Sequence, residues 1–154
     1  MTGGVSVGSY DFTPKAIENN DFQIIFHKVN QKPGKPMLFA VKPGKTIFGL
    51  PGNPRAVMIA FYTYILTFIH SSMGKPDPGL TTTRLPLGSD IHVKGDRDVL
   101  LAANLVDGKV VLGQGQQSHM LQSLSLADLI VHIPVGKFDL NKGEMVDVYL
   151  VHSS

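Results

Sequence analysis

Six residues, Gly49-Leu50-Pro51-Gly52-Asn53-Pro54, constrain this chain more than any others. They stand between a short apolar run, Thr46-Ile47-Phe48, and a long apolar stretch that starts near Arg55. Proline fixes φ, and glycine permits positive φ or the close approach of a ligand. Asn53 reads as a helix N-cap and Pro54 as the first helical residue. The result is a rigid strand-loop-helix corner whose N–H groups and positive dipole end suit an anion. A well-made turn without a ligand uses the same residue types, so the hexapeptide alone does not decide between them.

The chain has 154 residues, enough for one ordinary domain or two small ones. With 43% hydrophobic and 17% charged residues it can bury a core and is not of disordered composition. It has no cysteine, which excludes disulfides and thiolate metal sites. The N-terminus is polar and glycine-rich and lacks the pattern of a secretory signal. The most apolar run, 56–69, is too short to span a bilayer and contains Thr63 and Thr67. A core helix, no membrane and a cytoplasmic location are therefore expected.

A net charge of +2 hides an asymmetry. No acidic residue lies between Asp21 and Asp77, yet Lys28, Lys32, Lys35, Lys42, Lys45, Arg55 and Lys75 do. Such a field attracts phosphates and other oxyanions, although a solvated basic face has the same composition. Aromatic residues are not interleaved with these lysines and no nucleic-acid motif is present, so nucleic acid is not an expected partner.

The apolar pattern predicts a helix over 13–20, strands over 22–29, 37–41 and 46–50, turns over 31–36 and 42–45, and a helix over 55–72. Strands alternating with helices suggest an α/β layer with ligands at the carboxyl ends of strands. Gly3-Gly4-Val5-Ser6-Val7-Gly8 is a phosphate-cradling type of loop that normally follows a strand. Only two residues precede it, so the chain reads as a fragment. Composition changes over 75–79, after which short strands are expected over 81–85, 91–93, 98–105, 109–112, 129–133 and 145–151. Asp107-Gly108 is a hairpin turn. A short helix or turn is expected over 118–126. The expected architecture is an incomplete three-layer α/β domain over 1–75 followed by a small all-β, barrel-like domain over 76–154.

The order of motifs carries a resemblance. The run from Gly3 to Asp11, Lys28 followed by Lys32-Pro33-Gly34-Lys35-Pro36, and Gly49 to Pro54 resemble the molybdopterin molybdenumtransferase family, which includes MoeA and the gephyrin E domain. So do the stretch from Gly115 to Asp128, with Ser118 and His119, and the terminal run from Lys142 to Leu150. The resemblance implies the last step of molybdenum cofactor synthesis. Molybdate is inserted into adenylylated molybdopterin, AMP is released, and Mg²⁺ is required. It also implies a C-terminal fragment of a homodimeric parent, inactive by itself. The alternative is a catalytically inactive pterin- or peptide-binding module on the same scaffold.

Residue by residue, the resemblance makes Asp11 the Mg²⁺ ligand and makes Lys28 and Lys32 functional cations, with Lys35 a weaker third. Gly3, Gly4, Ser6 and Gly8 approach the pterin phosphate. Pro51, Gly52, Asn53 and Pro54 shape the substrate loop rather than perform chemistry. Ser118, His119 and Arg97 come from the β domain towards molybdate. The family often has a second arginine where this chain has Ala102, a departure that bears on the molybdate site. Outside the resemblance, Asp11 reads first as an Asx turn and Ser6 as a turn serine, whereas the absence of neighbouring acids disfavours reading the lysines as a merely solvated face.

Overall fold

The computed structural model describes residues 1–2, 12–113 and 127–151. Gly3, Gly4, Ser6, Gly8 and Asp11, and Ser118 and His119 with the turn expected over 118–126, lie outside the described residues.

The first half begins with helix α1 (Thr13–Glu18), followed by β1 (Gln23–His27), β2 (Gln31–Lys32), β3 (Leu38–Lys42) and β4 (Lys45–Gly49). β1, β3 and β4 form an antiparallel sheet in that order. Ile24, Leu38, Ala40 and Ile47 lie on one face, where Ile17 of α1 and Phe22 pack on them, and a bulge in β1 between Ile24 and Phe26 breaks the expected alternation. Phe26 and Phe48 go to the other face with Met37 and Leu50. That face is covered by α2 (Pro54–Ala60), a π-helical turn (Phe61–Ile65) and α3 (Leu66–Ser72). Helices therefore lie on both faces of this sheet. The pairing does not match a parallel sheet, and an antiparallel sheet has no common carboxyl edge to receive a ligand. The connections explain this, because β3 and β4 are joined by the tight Pro43-Gly44 turn, too short for a crossover.

The expected single helix over 55–72 is three segments. Thr63 Oγ1 donates to the Ile59 carbonyl at 2.8 Å and Thr67 Oγ1 to the Thr63 carbonyl at 3.2 Å. Hydroxyls that take helix carbonyls compete with the backbone ladder, and the π turn falls between these two bonds.

The second half contains β5 (Thr82–Pro86), β6 (Ile91–His92), β7 (Asp98–Val106), β8 (Lys109–Leu112), β9 (Leu129–Ile133), β10 (Asp139–Leu140) and β11 (Met145–Leu150). Asp107 and Gly108 have φ of 48° and 71°, which makes the β7–β8 turn the expected hairpin. The barrel expected from the sequence is not formed. The described strands make an open six-stranded sheet in the order β2-β7-β9-β11-β5, with β8 also on β7, and a separate pair β6·β10. Pro86 lacks a donor N–H and ends β5. Beyond it an isolated bridge from Leu87 to Val110 does not grow into a ladder between β5 and β8. The sheet is also not confined to the second half. β2, expected as part of a turn, pairs parallel with β7, Gln31 opposite Asp98 and Lys32 opposite Val99.

Alternation along β7, β9 and β11 gives this sheet two apolar faces. Val99, Ala103, Leu129, Val131, Ile133, Val146 and Val148 meet Leu87, Ile91, Val110 and Leu140 on one side. Leu100 and Ile130 face the opposite way and are covered by Ile59 of α2, with Met58, Tyr62, Ala102 and Tyr149 around them. One helix thus packs on both sheets, and Ile59, fully buried, joins the halves.

Candidate functional site

The opening hexapeptide folds as its chemistry dictates. Asn53 is extended (φ −75°, ψ 119°), its side chain accepts a hydrogen bond from Arg55 N at 2.9 Å, and Pro54 starts the helix. Asn53 and Arg55 line a 480 Å³ cleft between the two halves. Lys32 and Pro33 enter it from β2, and Val99, Leu101 and Leu112 form its apolar wall. Residues 90–94, running through β6, also line it.

Among the described residues, three cations, Lys32, Arg55 and Lys94, line this cleft, against a single carboxylate, Asp90. Asp90 Oδ1 is already occupied by Lys142 N at 2.7 Å, and His92 Nδ1 meets Asp139 Oδ1 at 2.7 Å. Burial lowers the pKa of the Arg55 guanidinium from its ordinary value. An arginine keeps its charge even so, and a half-buried charge attracts an anion more strongly than an exposed one.

Of the residues expected from the sequence, the cleft brings together Lys32 and Asn53. Pro51, Gly52 and Pro54 shape the corner behind them and do not line it. Lys28 is exposed at φ 96°, its N–H bound to the Met37 carbonyl at 2.7 Å. Lys35 lies across the same loop, its carbonyl accepting from Val29 N at 2.9 Å. Arg97 donates from Nε to Asp96 at 3.1 Å. That bond, then other local bonds and the charges of Arg97 and Lys35, hold the Asp96 carboxyl below its ordinary pKa. Lys28, Lys35 and Arg97 are therefore outside the cleft lining, and Arg97 is engaged by its neighbour.

Ala102 lies on the Leu100 face and packs in the Ile59 cluster, whereas Val99 and Leu101 face the cleft. A longer side chain at 102 would run towards the helix. Sequence reasoning missed Asp90, His92 and Lys94; their signal was the alternation of polar 90, 92 and 94 with apolar Ile91 and Val93.

Gln31, Asp98 and Leu100 point to the opposite side of the β2·β7 pair and line a second cleft of 410 Å³ with Tyr64, His132 and Tyr149. Asp98 accepts from Val135 N at 2.9 Å and meets His132 Nε2 at 3.1 Å, and these bonds lower its pKa. Burial, then the neighbouring Tyr149 and Asp98, raises the pKa of Tyr64. Both oxygens of Asp98 and the Tyr64 hydroxyl have protein partners.

Among the described residues no group of three His, Asp or Glu side chains converges as a metal site. With one Asp90 oxygen occupied, the described part of the cationic cleft does not by itself fit Mg²⁺. No described helix is long and apolar enough to cross a membrane.

Comparison with known proteins agrees with this two-part architecture. Residues 1–71 match a probable molybdopterin binding domain, and residues 84–151 match the MoeA C-terminal region, domain IV. The combination defines a class in which a molybdopterin-binding unit is followed by that β region. The molybdopterin molybdenumtransferase of Staphylococcus epidermidis is 31% identical over an alignment of 157 positions that covers 99% of this chain and 38% of the relative. The molybdenum cofactor synthesis protein cinnamon of Drosophila melanogaster is 32% identical over 90% of this chain and 24% of its own length. The molybdopterin biosynthesis MoeA protein of Pyrococcus horikosii superposes with a TM-score of 0.78 at 26% identity, over 99% of this chain and 37% of that structure. The chain belongs to the MoeA, or molybdopterin molybdenumtransferase, family, and it spans well under half the length of these relatives.

Proposed function

We propose that this chain serves molybdenum cofactor biosynthesis by holding adenylylated molybdopterin and molybdate for the transfer that releases AMP. The observation that carries this reading is the cleft between the halves, which among the described residues Lys32, Arg55 and Lys94 line together with one carboxylate, Asp90, whose Oδ1 accepts from Lys142 N. Lysines offer point charges on flexible stems and arginine a planar fork, the two ways proteins bind tetrahedral and phosphate oxygens. Val99, Leu101 and Leu112 supply an apolar wall for the organic part of a substrate.

In this reading Lys32 and Arg55 neutralise the phosphate and molybdate oxygens and fix their separation. Asn53 and Pro54 keep Arg55 in place. Asp11 would hold Mg²⁺, whose charge would further screen the phosphate oxygens. Lys28 and Lys35 contribute to the field around the cleft rather than to contact. A homodimeric parent, further residues from other segments and a cytoplasmic setting belong to the same proposal.

Adenylylated molybdopterin, followed by its pterin fluorescence, tests it. The chain should bind with an affinity that falls as salt rises, and Lys32→Ala should weaken binding about tenfold, the loss of one charge-assisted contact. Mg²⁺ should tighten binding to the unaltered chain but not to Asp11→Asn. Absence of saturable binding, or equal affinity of Lys32→Ala, contradicts the proposal.

A further inference from the structure

Gln31 is the buried polar side chain among the described residues, 5% exposed, and it immediately precedes Lys32. Its two ends are engaged differently. Oε1 accepts a hydrogen bond from the Tyr64 hydroxyl at 2.5 Å, and Nε2 donates to the Pro33 carbonyl at 3.1 Å. Tyr64 belongs to the π turn, whereas Pro33 follows Lys32 through a cis peptide. The bonds therefore run from the helix, through one amide, to the residue beyond Lys32. A Cβ built at Gly34 would stand 3.0 Å from the same Nε2, so the amide is closely enclosed.

The second cleft contains these groups, but a ligand is not needed to explain them. The Tyr64 hydroxyl, the Gln31 amide and both Asp98 oxygens are spent on joining helix, β2, β7 and the turn at Val135. Their arrangement secures the backbone on which Lys32 stands. Strand alternation does the rest: with Gln31 fixed on one side of the β2·β7 pair, Lys32 is committed to the other, where the cationic cleft lies.

We infer that Tyr64 and Gln31 are positioning residues for Lys32, setting its reach into the oxyanion cleft from the opposite face of the strand. This rests on the proposed function in one respect, that Lys32 contacts the bound oxyanion. The Tyr64 hydroxyl, whose pKa burial raises further, is a donor throughout the neutral range.

The test is a double-mutant cycle on the full chain, read by calorimetric titration with molybdate. Tyr64→Phe removes the hydroxyl and leaves the ring, so the fold should persist by circular dichroism. In the unaltered background it should weaken molybdate binding about fivefold, the scale of one buried hydrogen bond. In the Lys32→Ala background it should change binding less than about twofold, because the side chain it positions is gone. Gln31→Met should behave as Tyr64→Phe does, again only when Lys32 is present. A purely structural role would lower the melting temperature and weaken binding equally in both backgrounds, and that result overturns the inference.

If Lys32→Ala itself leaves molybdate binding unchanged, the proposed function fails in its use of Lys32, and the cycle is replaced by a direct readout. Lysines carrying ¹³C-methyl groups, with Lys32 assigned from Lys32→Ala, report position without a ligand. A moved Lys32 resonance in Tyr64→Phe supports the positioning role, and an unmoved one overturns it.

Discussion

The two clefts share a wall, the parallel pair β2·β7, and differ in what they do with their polar groups. On one side Lys32, Arg55 and Lys94 line the cleft, and the one carboxylate among them is partly occupied by Lys142 N. On the other side Tyr64, Gln31, Asp98 and His132 bond to one another and to backbone. The difference follows from period-2 alternation, since Gln31 and Lys32 are adjacent and so are Asp98 and Val99. Mutually satisfied polar groups fix geometry, whereas accumulated like charge invites a counter-ion. One cleft is suited to binding and the other to holding.

Both sides depend on the helix that bridges the halves, so the largest effect should come from Ile59→Ala. Ile59 is fully buried between Leu100 and Ile130. Losing it should cost about 3 kcal/mol of stability, transfer and cavity terms together. That corresponds to a melting temperature lower by roughly 6–12 °C for a chain of this size. A change under about 1 kcal/mol would show that the halves are not joined through this contact.

A smaller, pH-dependent effect should mark the holding cleft. The Asp98 carboxyl lies below its ordinary value of 3.8 because it accepts from Val135 N and from His132. Its stabilisation is therefore complete above the unfolded pKa and is lost as pH falls through the lower folded value. Its side chain is 38% exposed, which screens the interaction. Asp98→Asn should thus cost about 1 kcal/mol at neutral pH. Melting curves of the two proteins should converge below about pH 4. A difference that persists at pH 2 would assign the effect to packing instead of charge.

The smallest effect should come from Lys28→Ala. Lys28 is exposed and outside the cationic cleft. Its removal should change molybdate affinity less than about twofold, as expected for a screened charge beyond contact. A loss as large as that of Lys32→Ala would place Lys28 in contact with the ligand.

Local chemistry was legible in the sequence. The Asn53 cap, Pro54 at the helix start, the Asp107-Gly108 hairpin and most strands follow from residue type and spacing. Lys32 and Asn53, from two of the motif loops, both line one cleft. Pairing between distant segments was not legible. Two residues at 31–32 carry too little pattern to announce a strand, yet that strand takes a second sheet across the halves. Short strands separated by turns suit an open sheet as well as a barrel, and the choice lies in pairings such as the one that stops at Pro86. Period 3.6 identified the long helix but did not reveal its π turn, which accompanies side-chain bonds from Thr63 and Thr67. No sequence motif singled out Tyr64, because its hydroxyl bond to Gln31 joins segments 33 residues apart.

The most direct measurement is calorimetric titration of molybdate into the unaltered chain, Lys32→Ala and Asp98→Asn at neutral pH, below the melting temperature of all three. The contrast between the clefts predicts saturable binding by the unaltered chain, a loss of about tenfold in Lys32→Ala, and a change under about threefold in Asp98→Asn despite its lower stability. Equal losses in the two variants, or a larger loss in Asp98→Asn, would contradict the division of the molecule into a binding side and a holding side.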